Sequence, residues 1–116
     1  EQPRVQYVLY PGLENHPGYE INKAQTTGFG GMISFAVDSA ETARQILEGV
    51  KLIKFAESLG GTESLITYPI RQTHTDLTAE ECAEKGITDC LLRFSTGIEA
   101  TQDLIDDLAQ AFAAVE

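Results

Sequence analysis

Basic residues are scarce in this sequence of 116 residues: 8 lysines and arginines stand against 18 aspartates and glutamates, a formal net charge of −10. A phosphate backbone is bound through a basic face, so this balance excludes nucleic acid as an expected partner. It argues equally against anionic membrane surfaces. No apolar run approaches the length of a membrane span. Cysteine is nearly missing. Cys82 and Cys90 are too few for a disulfide scaffold and lack Cys-x-x-Cys spacing, which fits a reducing, cytoplasmic setting. Methionine occurs once, at position 32, and the chain opens Glu1-Gln2-Pro3 with no initiator and no visible signal peptide. The chain is therefore expected to be a piece of a longer parent.

What is present suits one folded domain. Hydrophobic residues make up 42% and charged residues 22%, wrong for disorder and enough for a single core. There is no internal repeat, low-complexity tract or linker. Two periodicities alternate instead. Residues 5–10 read as a strand that Pro11-Gly12 breaks, and Asn15-His16-Pro17 opens a short helix to about Gln25 with Pro17 in its first position. Residues 32–37 read as a second strand. Asp38, with Glu41 three residues on, caps a helix whose Ala40, Ala43, Ile46, Leu47 and Val50 face a core. Residues 52–56 and 64–68 are short apolar runs, read as strands, the second stopped by Pro69. Thr78-Ala79-Glu80-Glu81 is a capping box for a helix that Gly86 closes.

Residues 90–95 are the last strand, with Cys90, Leu92 and Phe94 on one face and Leu91, Arg93 and Ser95 on the other. From about Thr101 a final helix buries Leu104, Ile105, Leu108, Phe112 and Val115 and turns Asp103, Asp106 and Asp107 to water. The pattern predicts an α/β chain of the α+β type: a mixed or antiparallel sheet of about four or five strands covered by helices.

Candidate chemistry is sparse. His16, His74, Cys82 and Cys90 match no zinc spacing, so no metal is expected. Gly28-Phe29-Gly30-Gly31 precedes a strand, whereas a phosphate cradle follows one, so it reads as a tight turn. Ser58-Leu59-Gly60-Gly61, behind Glu57, lets backbone approach a ligand closely, or simply turns the chain. Arg93 stands inside Leu91-Leu92-Arg93-Phe94, where a buried cation needs a partner. An internal ion pair with one of the acids would satisfy it. So would a substrate carboxylate held in bidentate fashion. On spacing alone the two readings are even.

A set of residues in one order carries a resemblance. Tyr10-Pro11-Gly12-Leu13, His16-Pro17, Gly28-Phe29-Gly30-Gly31-Met32, Ala56-Glu57-Ser58-Leu59-Gly60-Gly61, Glu63-Ser64-Leu65, Thr73-His74, Gly86-Ile87-Thr88-Asp89 and Arg93-Phe94-Ser95-Thr96-Gly97-Ile98-Glu99 span nearly the whole chain. Together they resemble the C-terminal domain of the Cys/Met-metabolism family of pyridoxal-phosphate enzymes. That family holds cystathionine γ-synthase, cystathionine β- and γ-lyases, methionine γ-lyase and the O-acylhomoserine sulfhydrylases. The resemblance implies the small domain of a fold-type I transferase over residues 1–116, with the large cofactor-binding domain outside this chain. It implies that Arg93 binds the substrate α-carboxylate. Ser58, with the Leu59 backbone, would lie against the cofactor lysine. Glu57 would line the substrate pocket and favour γ-chemistry, and Thr73 would stand near its mouth.

The family's Schiff-base lysine sits in a Ser-x-Thr-Lys type motif that is absent here; Lys23, Lys51, Lys54 and Lys85 lack that context. No catalytic residue is therefore expected in this chain, and alone it should be inactive. Pyridoxal phosphate would be bound by the large domain and act as electron sink, while this domain orients a sulfur amino-acid substrate. The parent would be a cytoplasmic homotetramer. Two other classes of reading remain: a stand-alone, non-catalytic amino-acid-binding module that uses Arg93, and a mainly structural piece whose apolar docking face promotes association.

Overall fold

Alternation and capping account for most of the elements in the computed structural model, which describes residues 2–72 and 74–116. The strands are β1 (Val5–Leu9), β2 (Met32–Val37), β3 (Lys54–Phe55), β4 (Leu65–Thr67) and β5 (Leu91–Ser95). The helices are α1 (Tyr19–Gln25), α2 (Ala40–Gly49), α3 (Pro69–Gln72), α4 (Ala79–Glu84) and α5 (Thr101–Ala113). One five-stranded mixed sheet runs in the order β1-β2-β5-β4-β3. Every neighbouring pair is antiparallel except β3 with β4.

The 2.0-residue period of a strand sends alternate side chains to opposite faces. On one face Phe35, Val37, Ile66, Leu92 and Phe94 meet Ala43, Ile46 and Leu47 of α2 and Leu104, Ala111 and Phe112 of α5. This apolar cluster is the core. The two helices cross closely at Gly49, where a Cβ would come within 3.3 Å of the Ala111 Cα. The other face carries Tyr7, Leu9, Ser34, Arg93, Thr67 and Ser95 and is only partly covered. No helix among the described residues is long and apolar enough to cross a membrane.

Several local expectations shift. Pro17 does not open α1; Gly18 takes the N-cap position, and its N–H is received by His16 Nδ1 at 3.0 Å. The cap of α2 is Ser39 rather than Asp38. Ser39 Oγ accepts from the Thr42 N–H at 3.0 Å, while the Asp38 carboxylate is held by Arg4 at 3.3 Å. The Thr78–Glu81 capping box forms on α4, and Gly86 ends that turn at φ 70°. The run 52–56 pairs over only two residues, 64–68 contracts to β4, and Pro69 begins a short helix that the strand pattern did not anticipate.

Two expectations on α5 are wrong. Ile105 is 52% exposed and leaves the stripe. Asp107 is buried at 6% exposure, because its carboxylate receives the N–H groups of Lys51, Leu52 and Ile53 at 2.8–2.9 Å. It ties α5 to the chain that leaves α2. Helical periodicity cannot see such a partner, since it lies more than fifty residues away.

Candidate functional site

β5 is the central strand, so a side chain on its open face stands mid-sheet. Arg93 holds that position, with Ser34 of β2 on one side and Thr67 of β4 on the other. Two small hydroxyl residues leave room for a guanidinium to lie across the sheet. Arg93 Nη2 donates to Thr67 Oγ1 at 3.4 Å, a long hydrogen bond. Its Nε is buried and has no partner. Among the described residues Arg93 makes no ion pair, although the chain holds 18 acids. The internal ion pair weighed from sequence is not formed.

The turn behind Glu57 is fastened to the same face at both ends. The Ala56 carbonyl accepts the Thr67 hydroxyl at 2.7 Å, and the Gly60 N–H donates to Ser95 Oγ at 2.9 Å. Gly60 has φ 72°, the left-handed region that a glycine enters without strain, so the chain can double back there. Glu57, Ser58 and Leu59 sit exposed on the crest between these anchors. The fold thus brings the Glu57, Ser58 and Leu59 backbone to β4 and β5, beside Arg93. No hydrogen bond or ion pair joins their side chains to it among the described residues. Thr73 lies outside the described residues.

A second anchor was not foreseen. Glu99 accepts from the Ser64 N–H at 2.7 Å and from the Ser64 hydroxyl at 2.8 Å, and Gly97 N–H donates to Ser64 Oγ at 2.8 Å. The Ser64 backbone N–H, with the Ser64 hydroxyl, holds the Glu99 carboxyl below the usual carboxylate range. A Cβ on Gly97 would strike the Thr62 carbonyl oxygen, so only glycine lets the turn pack against the end of β5. The sequence signal was present: a glycine and an acid stand within four residues of the end of a strand, and a serine directly precedes another.

The remaining polar groups do not converge. Cys82 is buried and Cys90 half-buried, both as free thiols. No cluster of three histidine, cysteine or acidic side chains among the described residues could hold a metal ion. Lys23, Lys51, Lys54 and Lys85 are all exposed.

Comparison with known proteins agrees along the whole length. The family model described as Cys/Met metabolism PLP-dependent enzyme matches residues 1–113. A cystathionine γ-lyase of Bacillus subtilis is 51% identical over 109 residues, covering 94% of this chain and 29% of its own. An L-methionine γ-lyase of Fusobacterium nucleatum is 47% identical over 116 residues, 99% of this chain and 29% of that protein. The crystal structure of cystathionine γ-lyase from Lactobacillus plantarum, complexed with L-serine, superposes with a TM-score of 0.93 at 39% identity. It covers 99% of this chain and 30% of that one. Cystathionine γ-synthase from Xanthomonas oryzae pv. oryzae, in complex with aminoacrylate and cysteine, gives 0.91 at 43% identity, over 97% of this chain and 29% of that one. The chain spans about 29% of the length of the curated relatives it matches. The sheet, its helices and the match over 1–113 place this chain in the Cys/Met-metabolism family of pyridoxal-phosphate-dependent enzymes.

Proposed function

We propose that this chain is the C-terminal substrate-binding domain of a pyridoxal-phosphate enzyme acting on sulfur amino acids, of the cystathionine γ-synthase or γ-lyase type, and that Arg93 grips the substrate α-carboxylate. The observation that carries this reading is the buried Arg93 Nε with no partner. A buried donor left unsatisfied costs about 1–3 kcal/mol. That cost is kept where a ligand removes it. A carboxylate fits because it accepts two parallel N–H bonds from the rigid guanidinium fork.

The other groups follow from the same placement. Glu57, Ser58 and Leu59 would line the pocket from the crest above Arg93. The Schiff-base lysine belongs to the large domain in this reading, since none of Lys23, Lys51, Lys54 and Lys85 stands in a Ser-x-Thr-Lys type motif. The cofactor would be held by a large domain of the parent protein, a cytoplasmic homotetramer in this reading. What these residues contribute is positioning, which is worth several kcal/mol when the reacting bond is held in line.

The test uses the full-length protein. Arg93→Ala is expected to raise the KM for the amino-acid substrate steeply and also to lower kcat. Unchanged kinetics would remove the carboxylate role. Turnover of cystathionine, against condensation of an O-acylhomoserine with cysteine, separates lyase from synthase. A preference for β-elimination products would place the protein with the β-lyases instead.

A further inference from the structure

We propose that Thr67 is a positioning residue: its one hydroxyl couples the Arg93 guanidinium to the turn that carries Glu57, Ser58 and Leu59, and so sets the geometry of the carboxylate grip. The inference rests on the reading of Arg93 given above and adds a residue that this reading does not contain.

A hydroxyl has one proton to give and lone pairs to receive. The Thr67 proton goes to the Ala56 carbonyl at 2.7 Å. With the proton committed there, the lone pairs face Arg93 Nη2, which donates at 3.4 Å. Thr67 is 1% exposed, so water cannot stand in for either bond. It lies directly opposite Arg93 in the β4–β5 register. Its branched Cβ also restricts rotation about χ1, which keeps the oxygen aimed.

Ala56 is held from its other side as well, since its N–H donates to the Ile66 carbonyl at 3.1 Å. The far end of the turn is held by Ser95 Oγ through the Gly60 N–H. Only three residues, 57–59, lie between the two anchors. Any shift of Thr67 therefore moves the guanidinium and the start of the crest together. A valine at 67 would fill the same volume while leaving the Ala56 carbonyl and Arg93 Nη2 both without a partner.

The experiment compares Thr67→Val, Thr67→Ser and Arg93→Ala in the full-length holoenzyme. Steady-state kinetics are read beside calorimetric Kd values for two probes: L-methionine, and methylthiopropylamine, which is the same skeleton without the carboxylate. Thr67→Val is expected to raise KM and the methionine Kd about three- to tenfold, the weight of one or two lost hydrogen bonds, with a smaller change in kcat. Amine binding should stay unchanged, and Thr67→Ser should restore the wild-type values. A Thr67→Val enzyme with wild-type Kd values overturns the proposal. So does one that loses amine and amino acid equally, because that marks a merely structural role. If the valine variant does not fold, Thr67→Ala is read in the same way. Arg93→Ala separates the two claims. If it erases the preference for methionine over the amine and Thr67→Val leaves that preference at its wild-type value, only the Thr67 role falls. If Arg93→Ala keeps that preference, the carboxylate reading itself falls.

Discussion

Leu92 and Arg93 are neighbours on β5, yet they belong to different chemistries. Leu92 is fully buried beneath α2 and α5, within the apolar cluster of the core. Arg93 lies on the opposite face among hydroxyls, with one buried N–H unanswered. Near it Tyr7 and Leu9 remain 41% and 45% exposed. Among the described residues the closed face leaves no buried side-chain polar atom without a partner. The open face carries an exposed apolar surface and an unpaired donor, both costs to an isolated domain. A strand can hold the two together because its period of two lets one face stabilise the sheet while the other is left, in the proposed reading, for a ligand.

The largest expected effect breaks the closed face. Leu92→Ala removes a fully buried side chain at the centre of the core, so it should cost about 3 kcal/mol from lost burial and the cavity left behind. Urea unfolding followed by circular dichroism measures it. A loss under about 1 kcal/mol would mean that the core collapses around the gap and that the two faces are less unlike than the packing implies.

Asp107 tests the same face through a polar group. Asp107→Ala leaves three N–H groups without their charged acceptor and should cost about 2 kcal/mol. Burial pushes the Asp107 carboxyl up, but the N–H groups of Ile53, Lys51 and Leu52 and the Gln110 amide outweigh it and hold the carboxyl below its ordinary value of 3.8. The unfolded chain therefore binds this proton more readily than the folded one. The stability that Asp107 adds is complete above its ordinary value and is lost as pH falls through the lower, folded value. Urea midpoints taken down an acid series should show a shallower decline in Asp107→Asn than in the wild type. Parallel declines would place the acid sensitivity elsewhere, with Glu99 the next carboxylate to examine, since the Ser64 N–H and hydroxyl hold it down in the same way.

Asp107 also marks where the sequence stops being legible. Elements with a local cause could be read: β2 at its full extent of 32–37, α4 from its capping box, Gly86 from its place after a helix. Arg93 was visible because a cation inside an apolar strand is out of place. Groups with a distant cause could not be read. Asp107 looked like an ordinary solvated acid until the chain between α2 and β3 came to meet it. Thr67 looked like one more strand residue, and its importance comes from standing opposite Arg93 in the register. The cap of α2 falls on Ser39, and the carboxylate of Asp38 meets Arg4, more than thirty residues away. Long-range pairing decided Asp107 and Thr67, and a periodicity carries no information about it.

The smallest expected effect on stability is the one that sharpens the comparison most. Arg93→Leu replaces a guanidinium with an apolar side chain on the open face, one residue from Leu92. It removes a buried donor whose unanswered N–H costs about 1–3 kcal/mol. It also gives up one long bond to Thr67 and some packing along the arginine stem. These terms nearly cancel, so stability should stay within about 1 kcal/mol of wild type, with the sign toward stabilisation. Amino-acid binding should be lost at the same time. Urea midpoints and calorimetric titration on one preparation read both quantities. A stability loss comparable to that of Leu92→Ala would show that Arg93 serves the fold, and the division between the two faces of β5 would fail. A gain in stability with loss of binding is what a group kept for its ligand must give, because only the ligand completes the bonds that the folded chain leaves open.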